Sequence, residues 1–366
     1  KEIFPDIPII ALTATATKKV REDILKQLSL KNPRVFISSF DRKNLNLIIM
    51  GKKNTFNKIL NLLKKYKNES VIIYCFSRKD SEKIAQNLKE YGFDALPYHA
   101  GLNSETRKYN QDLFIKSKIN IIVATTAFGM GIDKPDVRLI IHYTFPKTLE
   151  GYYQEIGRAG RDGLPSDCVL FYSREDKRKH EFFINQLADE SVKKNVKEKL
   201  NDIMNYCEDT SCRRKHILKY FSEIFLDKNC NGCDVCLGFS ELEKIRESER
   251  DINKILYLFP NRGENKFPSE RLKIGETKER LDYYKNLFEK LRILRKRIAN
   301  QRNVPPFIIF NDVSLHEMVY CLPQNNEEFL KIKGVGQQKL KDFGDVFLEV
   351  IKEHIKGSNF TSSKTS

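Results

Sequence analysis

The stretch IIVATTAFGMGIDKPDVR at residues 121–138, followed by YYQEIGRAGRDG at residues 152–163, decides how the rest of the chain is read. Its first block runs an apolar strand, residues 120–124, into the small and hydroxyl residues Thr125, Thr126, Gly129 and Gly131. Such a turn lets the backbone approach a polymer or a phosphate closely. Asp133 then adds a carboxylate. The second block places Arg158 and Arg161 three residues apart in a glycine-punctuated turn after a helical segment, residues 148–156. Two guanidinium forks at that spacing suit one anion, although such a turn taken alone is also how a solvated helix end reads.

Working outward, short apolar runs alternate with helical patterns at residues 47–50, 71–76, 95–98, 121–124, 139–143 and 168–172. Runs of that kind predict a mostly parallel sheet covered by helices on both faces, an α/β fold. Ligands of such folds sit at the carboxyl ends of strands, where this chain carries Ser77 and Arg78, His99 to Leu102, and Thr125 with Thr126. A lone histidine such as His99 is more often a packed, satisfied side chain. At the front, residues 7–12 read as a strand, Thr13, Thr15 and Thr17 as a hydroxyl-rich turn, and residues 18–28 as a helix with Val20, Ile24, Leu25 and Leu28 on one face.

The chain has 366 residues and 40% hydrophobic content, enough for two or three cores, and no apolar run approaches the ~20 residues of a membrane span. A formal net charge of +16 predicts a polyanionic partner, with nucleic acid the commonest candidate and a lysine-rich proteome the bland alternative. No secretory leader is visible, so a soluble, cytoplasmic protein without a membrane partner is expected. The abrupt opening KEIFPDIPIIALTATAT predicts that an upstream part is missing.

Cys230, Cys233 and Cys236 stand at CxxCxxC spacing, and Cys207 and Cys212 precede them. Four thiolates from a helix start and a compact knuckle would close a tetrahedral structural zinc site; disulfides are the rival explanation, disfavoured in a reducing compartment. Cys75, Cys168 and Cys321 lie singly in apolar runs. Residues 191–225 read as helical and basic, with Ile217, Leu218, Phe221, Ile224 and Phe225 facing a core and Arg213, Arg214 and Lys215 in water. Near the end, Leu287, Leu291, Leu294 and Ile298 form a helical seam, residues 304–312 an apolar loop, and LKIKGVGQQKLKDFG at residues 330–344 a helix, a turn and a helix. Free N–H groups of that turn, with Lys339 nearby, suit a phosphate, and a hairpin that merely packs is the alternative.

ATTAFGMGIDKPDVR and QEIGRAGRDG resemble motifs V and VI of the RecQ family of superfamily 2 DNA helicases. ALTATAT resembles motif III of such motors, SFDRKNLN the passage into their second motor domain, YCFSR and YHAGL motif IV and the segment after it, and YCEDTSCRR with CNGCDVC the family's zinc ligands. The resemblance implies the tail of a first RecA-like domain at 1–40, a second RecA-like domain at 41–187, and a helical zinc-binding domain at 188–237. Over 238–283 the resemblance weakens, and the winged helix the family carries there is expected to be short or degenerate, or replaced by a linker; the resemblance resumes with a small all-α HRDC-like nucleic-acid-binding domain at 284–356, and the Ser/Thr-rich composition of 357–366 reads as a disordered tail. It places the ligands at Cys212, Cys230, Cys233 and Cys236 and leaves Cys207 to packing.

The function it implies is an ATP-dependent DNA helicase, moving 3' to 5' on single strands and opening duplex junctions in recombination, replication and repair. Arg158 and Arg161 would be catalytic, with Arg161 the finger on the transferring phosphate; Gln154, Asp133 and Gly131 would complete the nucleotide side. Thr13, Ser77, Arg78, His99, Thr125, Thr126 and Lys339 would meet DNA, bound at the nucleoid if the source is bacterial. Structural zinc, ATP and magnesium are the implied cofactors. Neither a G-x-x-x-x-G-K-[ST] loop nor a DEAH sequence occurs, so the chain is expected to be the C-terminal portion of a longer protein, inactive alone. A non-catalytic nucleic-acid-binding module and an RNA helicase of the DEAD-box type are the alternatives.

Overall fold

Six apolar runs pair as one parallel sheet in the computed structural model, which describes residues 7, 9–30, 32–129, 132–238 and 278–357. The strands are β1 (Leu45–Gly51), β2 (Ser70–Tyr74), β3 (Ala95–Tyr98), β4 (Ile121–Ala124), β5 (Val137–His142) and β6 (Ser166–Tyr172), in the spatial order β1-β6-β5-β2-β4-β3. Every residue of β2, β4, β5 and β6 is buried, which is why their apolar runs do not alternate; the polar members Ser70, Arg138, His142, Ser166 and Asp167 stand at or next to the strand ends. Two separate cores cover the two faces, one holding Ile72, Ile122, Ile140 and Leu170, the other Val71, Ile73, Val123 and Ile141.

Of the helices α1 (Lys18–Gln27), α2 (Thr55–Lys65), α3 (Arg78–Glu90), α4 (Ser104–Ile115) and α5 (Leu149–Ile156), all but α2 start at a side chain that caps them. Ser77 accepts from Asp80 N at 3.0 Å, Asn103 from Thr106 N at 2.7 Å and Thr148 from Gly151 N at 3.0 Å. After β6 come α6 (Lys177–Ile184), α7 (Glu190–Glu208) and α8 (Arg213–Tyr220). The knuckle that follows takes the open edge of the sheet: Leu47 N donates to Gly232 O at 2.9 Å and Asp234 N to Leu47 O at 3.0 Å.

The last domain has its own core, in which Leu287, Leu291, Phe310, Phe329 and Phe347 meet. Its helices are α9 (Lys278–Gln301), α10 (Pro306–Ile309), α11 (Asp312–Cys321), α12 (Asn326–Leu330), α13 (Gln337–Lys339) and α14 (Asp345–Lys356), the last two joined by a π-turn, Leu340–Gly344. Among the described residues no helix is long and apolar enough to cross a membrane.

Four expectations need correction. Residues 9–12 form no strand, because no described strand lies beside them to take their hydrogen bonds, and Ile10 and Leu12 are exposed. Residues 304–312 are not a plain loop, since Pro306 at a first helical position seeds α10. Arg213 and Arg214 are not in water but buried, each against carboxylate and carbonyl partners. Ile224 is exposed, because α8 ends at Tyr220 and Ser222 turns the chain at φ 65°.

Candidate motor site and metal centre

The turns after β2, β3 and β4 are neighbours because these strands are neighbours, with β4 between the other two. Thr125 N donates to Tyr98 O at 3.1 Å, and the Arg78 side chain lies so close over Gly101 that a Cβ there would meet it at 3.0 Å. The structure thus brings Ser77, Arg78, Thr125 and Thr126 to one edge, with Arg78 and Thr126 exposed. His99 is different. It is 2% exposed, its Nδ1 accepts from Gly101 N at 3.2 Å, and its Nε2 lies 3.0 Å from Glu82. Both ring nitrogens thus have partners, one in the backbone of the 99–102 turn and one in the carboxylate of Glu82, whose side chain is exposed.

The arginine turn sits between α5 and β6. Its backbone is held from two sides: Arg42 Nη2 donates to Ala159 O at 2.9 Å and Gly160 O at 3.0 Å, and Asn44 Nδ2 donates to Gly160 O at 2.8 Å and Leu164 O at 2.9 Å. Gly160 has φ +51°, and a Cβ there would fall 2.5 Å from Asn44 Nδ2, so this tight clamp requires glycine. Arg161 Nη1 donates to Ile132 O at 2.7 Å and Asp133 Oδ1 at 2.9 Å, with the Asp133 side chain 90% exposed. Arg158 is half-buried, its Nη2 3.2 Å from where a Gly129 Cβ would stand, and its Nε is buried without a hydrogen-bond partner among the described residues. Gln154 Nε2 donates to Thr15 Oγ1 at 2.7 Å, joining this helix to the hydroxyl-rich turn, where Thr13 is exposed. Gly131 lies outside the described residues.

Lys339 stands apart from these groups in the last domain. Its Nζ lies 5.3 Å over the Phe310 ring, and partial burial lowers its basicity. The turn before it places Gly334 at φ +83°, where a Cβ would meet Ser314 Oγ at 2.9 Å.

The sulfurs of Cys212, Cys230, Cys233 and Cys236 lie within 4.8 Å of one another. Cys207 is fully buried and belongs to the main core, where burial pushes its thiol up. Behind the four sulfurs, Arg213 Nε donates to Asp234 Oδ1 at 2.9 Å and Nη2 to Oδ2 at 3.1 Å, in a pair that is 0% and 1% exposed. Arg213 follows one thiol and Asp234 another, so this pair ties the two halves of the cluster together.

Comparison with known proteins agrees with this geometry. The helicase conserved C-terminal domain family matches residues 52–163, the RecQ zinc-binding family residues 174–237 and the HRDC domain family residues 285–351. The ATP-dependent DNA helicase RecQ of Haemophilus influenzae is 33% identical, over 97% of this chain and 71% of its own length. The chain belongs to the RecQ family of ATP-dependent DNA helicases. The Bacillus subtilis RecQ is 31% identical over 97% of this chain and 72% of its own length, and a putative ATP-dependent RNA helicase of Acanthamoeba polyphaga mimivirus is 48% identical over 65% and 43%. The pairing with the Haemophilus RecQ runs over 438 positions, more than the 366 residues here, so within the matched span that relative carries sequence this chain lacks. The expected winged helix falls on residues 238–283, of which 239–277 lie outside the described residues.

A RecQ protein holds structural zinc, and the donor set here fits it: four thiols from a helix start and a knuckle converge, the all-sulfur set of a closed tetrahedral site. Bound there, zinc would supply folding energy and no chemistry. The complete RecQ protein uses ATP and magnesium. Sequence reasoning missed the residues that hold the arginine turn. Arg42 and Asn44 stood in SFDRKNLN and Asp162 in GRAGRDG, so their types were in view, but their partners lie more than a hundred residues away or in another element.

Proposed function

We propose that the complete protein translocates 3' to 5' on single-stranded DNA and opens duplex junctions, driven by ATP held between a first motor domain and the arginine turn of this chain. Arg161 acts as the finger on the transferring phosphate and Arg158 supports the same anion. Gln154, Asp133 and Gly131 link that turn to the nucleotide side. Ser77, Arg78, Thr125, Thr126 and Thr13 grip the DNA backbone, with Lys339 as a second contact on the HRDC-like domain. The working boundaries are 1–40, 41–187, 188–237, 238–283 and 284–356, and the site of action is the cytoplasm, on the nucleoid if the source is bacterial.

The observation that carries this reading is the bond between Gln154 and Thr15, because it connects the turn that would sense phosphate to the segment that resembles motif III. A strand-displacement assay with the complete protein tests it. Duplexes with a 3' tail are expected to open with ATP and not with a non-hydrolysable analogue, while 5'-tailed duplexes stay closed. Opening from 5' tails, or none from either, contradicts the proposal.

A further inference from the structure

The HRDC-like domain rests against the second motor domain where the strands begin, and the contact is made by charge. Arg292 Nη1 lies 3.1 Å from Glu69 Oε1, just before β2, and Lys118 Nζ, just before β4, donates to Asn300 Oδ1 at 2.5 Å. At the centre is Arg138 of β5, only 8% exposed. Its Nη1 donates to Asp162 Oδ1 at 3.0 Å, and its Nη2 donates both to Asp162 Oδ2 and, at 2.9 Å, to Asp312 Oδ2. Asp312 opens α11 of the HRDC-like domain, and its other oxygen lies 2.8 Å from Arg295 Nη2 of α9. Asn311 caps that helix by accepting from Ser314 N at 2.8 Å, which fixes where Asp312 stands. Burial pushes the Asp312 carboxyl up, but Arg295, Arg138 and Arg292 together outweigh it and hold the group ionised.

Asp162 is the residue after Arg161 and also accepts from Leu164 N at 3.1 Å, so it shapes the same turn that Arg42 and Asn44 clamp from the other side. Two guanidiniums and two carboxylates make a neutral buried set, half of it from each domain. Withdrawing the HRDC-like domain removes Asp312 and Arg295 together, leaves Arg138 anchored on one side only, and lets water reach the pair that sets Asp162.

We propose that docking of the HRDC-like domain through Asp312 is a positioning device for the arginine turn, so that the Arg138–Asp162 pair, and with it Arg161, is held in place only while the domain is docked. This rests on the motor reading for its consequence, but not for its test.

Hydrogen exchange on this chain reads the coupling without nucleotide. Arg292→Glu sets like charges against Glu69 and takes away one of the three cations that face Asp312, but it leaves the direct contacts of Asp312 with Arg138 and Arg295, and the turn itself, in place. It is expected to enlarge the particle in small-angle scattering and to raise exchange across residues 157–164 by about tenfold, the change that about 1.4 kcal/mol of lost support makes. Exchange inside the HRDC-like core, at Leu287 and Leu291, is expected to stay unchanged. The double variant Glu69→Arg with Arg292→Glu should restore both signals. Asp312→Asn should give the same rise at 157–164; if that variant also loosens the HRDC-like core, the Arg292→Glu result decides. In the complete protein, Arg292→Glu should lower kcat with KM unchanged. Undocking without a change at 157–164 overturns the coupling, a domain that stays docked in Arg292→Glu overturns the docking role, and an unchanged or raised kcat overturns the positioning of Arg161. A failure of the motor reading itself would instead show as absent strand displacement with the exchange result intact.

Discussion

Replacing Arg213 by methionine tests the buried strut behind the metal centre. The side chain is 0% exposed and makes four bonds: two to the Asp234 carboxylate, one to Tyr206 O at 3.0 Å and one to Asp209 O. Methionine fills much of the volume but leaves Asp234, itself 1% exposed, with backbone donors alone, the Ile49 N–H at 3.3 Å and the Val235 N–H. Burial already pushes the Asp234 carboxyl up, with Arg213 pulling it back, so the charge loses its main compensation. Breaking a buried pair by removing one partner costs about 3–5 kcal/mol, against roughly 5–15 kcal/mol for a whole domain. With a urea slope of about 1–3 kcal/mol per molar, the midpoint of the zinc-loaded chain should fall by about 2 M. Zinc affinity should drop by about 10–100-fold, since the strut orients two ligands. The double variant Arg213→Met with Asp234→Leu should recover most of the stability, because apolar side chains of similar volume replace both ions. A single-variant loss below about 1 kcal/mol, or a double variant as unstable as the single, refutes the reasoning.

The purified chain is expected to carry one zinc, and metal analysis of Cys233→Ser should show its loss together with aggregation; full zinc in that variant would mean the ligands are misassigned. Single-stranded DNA binding by the chain should weaken steeply with salt, with about −0.7 on the log–log slope for each phosphate neutralised, and a titration flat in salt would reduce the +16 charge to a matter of solubility. His180 is buried with Nε2 3.1 Å from Phe145 O and Nδ1 without a hydrogen-bond partner among the described residues, and burial, only partly offset by that bond, lowers its pKa from 6.5 to about 4. The unfolded chain therefore takes up the proton first as pH falls, so stability is lost between pH 6.5 and about 4. His180→Gln should gain on the parent by at most about 1.4 kcal/mol per pH unit across that window, and a pH-independent difference between the two contradicts it.

Much of the fold was legible because parallel strands buried on both faces read as apolar runs that do not alternate. The four ligand cysteines were legible from spacing and resemblance. What escaped was long-range pairing of charge. Arg213 and Arg214 looked solvated because an arginine beside a helix start usually is, and only the arrival of Asp234, Asp41 and the Leu45 carbonyl explains their burial. Arg138 stood just outside the apolar run at 139–143, and its partner Asp312 lies 174 positions away. His99 was ambiguous for the opposite reason: its partners Glu82 and Gly101 are close in space, yet nothing in their spacing shows that they close around the ring.

The most direct test of the motor account is DNA-stimulated ATP turnover by the complete protein, measured beside nucleotide affinity for Arg161→Ala and Arg158→Ala. Arg161 is bound to an exposed carboxylate at the surface, a contact worth little in water and easily exchanged for a phosphate, whereas Arg158 is packed beside Gly129. Arg161→Ala is therefore expected to lower turnover by roughly a thousandfold while nucleotide affinity changes far less, because charge spreading over the transferring oxygens is met only in the transition state. Normal turnover in Arg161→Ala with a dead Arg158→Ala would move the finger to Arg158, and normal turnover in both would contradict the reading of the arginine turn.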